Sequence, residues 1–154
     1  MATLEYFVVA ESVSTDRETN NVSVFNILED VSGKLPLEIP RLVAVSAWNM
    51  APEDRDKDFQ VTLRIPQPWN ETDPKYFDFP INFTTERRRH RVSHRLEALQ
   101  IKEPGELRLQ ILLNGQPVAT HVITIHDRES SVQVGVSDTE TAQPPMIGNE
   151  ASRE

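Results

Sequence analysis

Apolar side chains recur at every second position along most of the first 126 residues, and this period of two restricts the chain to half-buried strands. In FQVTLRI, Phe59, Val61, Leu63 and Ile65 share one face, while Gln60, Thr62 and Arg64 share the other. YFDFPINF repeats the pattern with Phe77, Phe79, Ile81 and Phe83. Pro80 cannot donate to a ladder, so this strand belongs at a sheet edge or carries a bulge. ELRLQILLNGQPVATHVITI divides into two strands around Asn114-Gly115, a dipeptide suited to a tight hairpin. Leu107, Leu109, Ile111 and Leu113 then face the core.

Earlier strands are expected at LEYFVVA (4–10), NVSVFNIL (21–28) and RLVAVSAW (41–48). The last is apolar on both faces and reads as central. Turn-rich stretches separate them: STDRETN, SGKLPLEIP, APEDRDKD and QPWNETDP. With residues 86–96 included, about eight short strands predict an all-β, antiparallel, immunoglobulin-like two-sheet sandwich over residues 3–126. From 127 to 154 the chain turns polar, contains Pro144-Pro145 and reads as a disordered acidic tail. Within it, Val132, Val134 and Val136 alternate and could add a strand to an exposed edge of the same chain or another.

Net charge is −8, against general affinity for nucleic acid or anionic lipid. No apolar run reaches the roughly 20 residues of a membrane-spanning helix. The first residues, MATLEYFVVAESV, lack the basic and long apolar regions of a secretory signal, which predicts a cytoplasmic protein. Asn21, Asn70 and Asn82 stand in glycosylation triplets that such a location leaves unused. With no cysteine, disulfides, thiolate catalysis and cysteine metal sites are excluded.

Against this acidic background stands ERRRHRVSHRL, residues 86–96. As a strand it places Arg87, Arg89, Arg91 and Arg95 on one face with Ser93, and Arg88, His90, Val92, His94 and Leu96 on the other. The guanidinium ladder repels itself unless anions answer it: carboxylates of the same chain, with Glu53, Asp54, Asp56 and Asp58 as candidates, a partner's acidic face, or phosphate. As a helix the same run would gather His90, His94 and Glu97 on one face as a metal-site candidate. The surrounding alternation favours the strand, where the two histidines stand about 13 Å apart, too far for one ion. His121 and His126 differ in parity on the last strand and do not pair either.

Weaker constellations remain. EDRDKD (53–58), joined by Asp73, suggests a calcium loop, but it lacks an EF-hand glycine and terminal Glu, and Arg55 and Lys57 neutralise half of it. Trp48, Trp69 and Tyr76 could form a sugar-stacking platform, although Trp48 lies in the most apolar strand and reads as core. There is no Gly-x-Ser-x-Gly elbow, no phosphate loop and no His-Glu-x-x-His, so no catalytic residue, metal ligand or cofactor is assigned.

Taken as a set, YFVVAESV, TNNVSVFNILEDV, IPRLVAVSAW, RRHRVSHRLEAL and EPGELRLQILLNGQPVA resemble successive blocks of a family of small bacterial domains of unknown function, over about residues 4–125. Pro104-Gly105-x-Leu107-x-Leu109 followed by Asn114-Gly115 also resembles the last hairpin of many immunoglobulin-like modules. The resemblance implies a bacterial cytosolic β-sandwich and transfers no functional residue. The expected function is a non-enzymatic protein-interaction or structural module with Arg87, Arg89, Arg91 and Arg95 as the partner-contact surface. The competing expectations are a sandwich that binds calcium, carbohydrate or a polyanion, and a homo-oligomer assembled through edge strands.

Overall fold

The computed structural model describes residues 1–67, 70–84 and 88–128. Among these residues, nine strands form two stacked sheets. They are β1 (Thr3–Thr15), β2 (Val22–Ile27), β3 (Asp30–Gly33), β4 (Leu37–Asn49), β5 (Asp58–Gln67), β6 (Asn70–Asn82), β7 (Arg89–Ile101), β8 (Gly105–Leu113) and β9 (Gln116–Asp127). A 3-10 turn, Pro52–Asp54, lies between β4 and β5. One sheet runs β2-β1-β4-β7 and the other β3-β9-β8-β5-β6. The sandwich expected from the alternation is present, with two differences: β3 is an additional short strand, and it pairs with β9 in parallel.

The inner faces are those the alternation selects. Phe59, Val61, Leu63 and Ile65 are buried on β5, as are Leu107, Leu109, Ile111 and Leu113 on β8. Trp48 is fully buried and its indole N–H donates to Ser46 Oγ at 2.9 Å, so its one polar atom is satisfied inside the core. Burying a side chain of Leu or Phe size stabilises by about 1.5–3 kcal/mol each, which makes this continuous inner layer the principal stabilising element.

The hairpin between β8 and β9 turns at Asn114 (φ 48°) and Gly115 (φ 83°), the two positive dihedrals of a type I′ turn. The Asn114 side chain also accepts from the Gln60 amide at 2.8 Å, and the Asn114 amide donates to the Gln60 carbonyl at 2.8 Å. The turn is thereby tied to β5. β6 lies at the edge of its sheet, where Pro80 leaves no ladder bond unmade. Phe79 keeps the inner parity expected of it, opposite Val61, but on this edge strand it is 44% exposed.

β4 is buried on both sides. Val43, Val45 and Ala47 point away from the core, yet Val45 and Ala47 are 0% exposed. Their cover comes from the distal half of the β1–β2 hairpin. Beyond Ala10 the two strands continue as a pair from Ser12–Phe25 to Thr15–Val22 without β4. Asn26 adopts a left-handed conformation (φ 57°) and its side-chain amide donates to the Glu11 carboxylate at 2.7 Å, marking a sharp bend.

Past the bend the hairpin folds back, because its tip meets the far strand: Arg91 donates to the Asn20 carbonyl at 3.1 Å. The dimensions agree. From Ala10 to Arg91 is two strands across and four residues along, about 16 Å, and the five extended residues from Ala10 to Thr15 span about the same. The half-buried Val13, Val22 and Val24 thus lie over Val43, Val45 and Ala47 as a partial third layer.

Candidate functional site

The arginine face forms as the alternation requires. Arg89, Arg91, Ser93 and Arg95 stand opposite Asn49, Ala47, Val45 and Val43, all on the outer side of β7. Arg87 lies outside the described residues. Arg89 is answered by Glu5 of β1, with Nη2 at 2.6 Å from Oε1, and Glu5 also accepts from Asn49. Arg91 is spent on the hairpin tip. Arg95 makes no hydrogen bond or ion pair among the described residues. So two of the four expected contact residues bind within the fold, and Arg95 stands apart from them.

The acidic cluster considered for this ladder does not reach it. Asp54 is buried, with one carboxylate oxygen accepting from the Ala51 amide at 2.8 Å and the other 3.3 Å from the Met1 amino group. Glu53 accepts from the same amino group at 2.9 Å, which holds its carboxyl below the usual range. Among the described residues no three His, Cys, Asp or Glu side chains are grouped to hold a metal ion. Trp48 is enclosed in the core, so it cannot join a sugar platform, and Trp69 lies outside the described residues.

Three histidines have structural partners. His90 Nε2 donates to the Asn82 carbonyl at 2.8 Å and packs edge-on to Phe83. His121 donates to the Leu28 carbonyl at 2.6 Å, and His126 meets Asp30 at 2.9 Å. His94 differs. It is 7% exposed on the inner side of β7, and among the described residues neither ring nitrogen finds a hydrogen-bond partner of good geometry. Burial pushes its pKa below the ordinary value, and the nearby Phe77 main chain and Asp78 carboxylate only temper that shift.

Below His94 the two sheets part. β6 and β7 are edge strands on the same side of the sandwich, and between them opens a groove of about 530 Å³. One wall is continuous: every residue of β7 from Arg95 to Ile101, and Lys102 after it, lines the groove. The facing wall and floor are Ile65, Phe77 and Leu107, with Lys75 on the inner parity of β6 at the rim. Three cations, Lys75, Arg95 and Lys102, and one exposed carboxylate, Glu97, thus line the groove around its apolar floor.

Ala98 (φ 55°) bends β7 within this wall, and β4 follows without a change of register: Arg41 faces Glu97 and Ile39 faces Leu99. The bend turns both Leu96 and Leu99 inward, three residues apart where strict alternation would set one of them outward. Alternation alone could not reveal this groove. The signal for it in the sequence is the change of parity between Leu96 and Leu99.

Among the described residues no helix is long and apolar enough to cross a membrane. No curated protein matches the chain. Among solved structures it is similar to the alkylpurine DNA glycosylase AlkC of Pseudomonas fluorescens bound to DNA containing an abasic-site analogue. The TM-score is 0.51 at 11% identity, over 81% of this chain and 30% of that one. That likeness concerns the fold, and the chain spans less than a third of the glycosylase's length. The model of a family of unknown function, DUF6941, matches residues 5–126, nearly the whole described body, and the chain belongs to that family.

Proposed function

We propose that the domain is a non-enzymatic protein-interaction module that takes up an extended segment of a protein partner along the lower half of β7. The observation that carries this reading is the groove wall formed by the unbroken run Arg95 to Lys102 on an edge strand. An edge strand presents main-chain donors and acceptors on its free side, and proteins ordinarily cover or blunt such an edge. The upper half of β7 is approached by the hairpin tip at Arg91. The lower half faces a slot whose apolar floor suits alternate side chains of an added strand, while main-chain bonding supplies affinity.

Charge narrows the partner. Lys75, Arg95 and Lys102 at the rim favour a segment with apolar residues at alternate positions and acidic residues flanking them. The test is fluorescence anisotropy of peptides of about ten residues with alternate valines and acidic flanks, against scrambled controls. Saturable binding is expected, weakened at least tenfold by Arg95→Glu and by Leu99→Asp. Equal binding by the parent and both variants, with each variant folded by circular dichroism, overturns the reading.

A second reading rests on a different edge. Phe25 (51%) and Ile27 (45%) are exposed on β2, the other border of the same sheet, and could pair two copies of the chain. Light scattering of the full chain separates the two, since only this reading requires mass above the monomer and its loss in Phe25→Lys.

A further inference from the structure

We propose that the cavity between the tip of the β1–β2 hairpin and the start of β7 binds a phosphate monoester through the guanidinium groups of Arg89 and Arg91. The site is independent of the slot reading, since its β7 residues are Arg89 to Arg91 and the groove begins at Arg95.

The cavity measures about 400 Å³, and every residue that lines it is polar: Thr19, Asn20 and Asn21 from the hairpin tip, and Arg89, His90 and Arg91 from β7. That size is ordinary for a small-ligand site, and it leaves room for the group to which a phosphate is attached. No carboxylate lines it. Asp16 lies in the same loop, but its carboxylate is turned to the amides of Glu18 and Thr19.

Hydrogen-bond donors dominate the lining. Arg89 and Arg91 stand at alternate positions on one face, about 7 Å apart along the strand. Arg89 uses Nη2 on Glu5, and Arg91 uses Nη2 on the main-chain and side-chain oxygens of Asn20. Among the described residues Nη1 and Nε of both make no hydrogen bond, so each planar fork keeps donors to offer. The hairpin tip adds neutral donors. Thr19 Oγ1 accepts from the Asn21 amide at 3.2 Å, which leaves the hydroxyl proton to donate elsewhere. Asn20 turns Oδ1 to Arg91, which leaves its Nδ2, and the side-chain amide of Asn21 makes no bond among the described residues.

Charge and shape select the ligand. Glu5 answers Arg89, but Arg91 meets only the neutral oxygens of Asn20, so the pair keeps a net positive charge. A carboxylate has two coplanar oxygens and fits one fork. A phosphate monoester carries nearly two negative charges and three acceptor oxygens set in a tetrahedron, enough to meet both forks and the tip together. Bound there, it ties Thr19 and Asn21 to β7 beside the Arg91–Asn20 contact and holds the hairpin closed. Its source is either a free phosphorylated small molecule or a phosphorylated side chain of a protein.

The experiment is a titration of the full chain followed by amide NMR. The probes are inorganic phosphate, glycerol 3-phosphate and an alanine-rich peptide with one phosphoserine, each against sodium chloride at equal ionic strength. Saturable shifts centred on residues 19–21 and 89–91 are expected, with slower tryptic cleavage at Arg17 in the bound chain. Arg91→Gln is expected to weaken binding by about tenfold or more, the scale of a charge-assisted bond. Because that change also loosens the hairpin, Asn21→Ala, which keeps the Arg91–Asn20 contact, is expected to weaken it by about threefold. Arg108→Gln, on the other sheet, is expected to change nothing. Tighter binding of the phosphopeptide than of glycerol 3-phosphate supports a protein source, and equal or weaker binding supports a small molecule. Shifts no larger than those in sodium chloride, or undiminished affinity in both Arg91→Gln and Asn21→Ala, overturn the proposal. The slot reading is unaffected by that result, since its peptides carry no phosphate and its variants lie at Arg95 and Leu99.

Discussion

The Arg91 guanidinium reaches the main-chain carbonyl and the side-chain oxygen of Asn20, 71 positions earlier, and this contact closes the folded-back hairpin over β4. The loop it grips is pre-shaped, since Asp16 accepts from the amides of Glu18 and Thr19 at 2.8 and 3.0 Å. Arg91→Ala is expected to lower stability by about 1 kcal/mol, the scale of one partly exposed charge-assisted bond. It should also speed tryptic cleavage at Arg17 beyond what global unfolding explains. Urea titration and limited proteolysis check the two effects separately, and unchanged cleavage would show the hairpin holds without Arg91.

Tyr6 stands opposite Ala47 on the same outer side, and its hydroxyl is buried with no hydrogen-bond partner among the described residues. A buried hydroxyl without a partner costs about 1–3 kcal/mol. Tyr6→Phe removes that cost while keeping the ring, so the midpoint in urea is expected to rise by the equivalent of about 1 kcal/mol. A fall in the midpoint would show that the hydroxyl is bonded in solution.

Stability should decline on mild acidification through His94. Its folded pKa lies below the ordinary value because burial disfavours the imidazolium. Between the unfolded and the folded pKa the unfolded chain binds the proton and the folded chain does not, so acid favours unfolding. The contribution is intact above about pH 6.5 and lost progressively below it, with a slope of at most about 1.4 kcal/mol per pH unit until the folded ring itself protonates. His94→Leu is expected to flatten this slope. Asp16, held low by the amides of Thr19 and Glu18, loses its contribution only at more acidic pH. Urea midpoints measured from pH 7.5 to 5 in parent and variant decide the matter.

Ala98 holds a left-handed conformation that costs a residue with a Cβ about 1–2 kcal/mol. Glycine adopts it without that cost, at the expense of a more flexible unfolded chain. Ala98→Gly is expected to raise stability by about 0.5–1 kcal/mol, read as a shift of a few degrees in calorimetry.

What the sequence conveyed was parity. Phe59 to Ile65, Leu107 to Leu113 and the Asn114-Gly115 turn are local patterns, and each appears in the fold as read. So does the two-faced reading of Arg89 to Leu96, because a regular strand distributes its side chains by counting alone. The contacts of those side chains were not legible. Glu5 became the carboxylate for Arg89 through the β1–β4–β7 order, which no local window contains. The bends at Asn26 and Ala98 also escaped, since neither a glycine nor a proline marks them. The hairpin cover over Val45 and the Leu96–Leu99 groove follow directly from those two bends.

The burial of β4 on both sides has a consequence for how this domain tolerates change. In most sandwich strands a survey of substitutions alternates between forbidding and permissive positions. From Leu42 to Trp48 every residue is enclosed, by the core on one side and by the hairpin on the other. The seven positions should therefore behave as one intolerant block, and a charge at outward-pointing Val45 should be as damaging as one at inward-pointing Ala44.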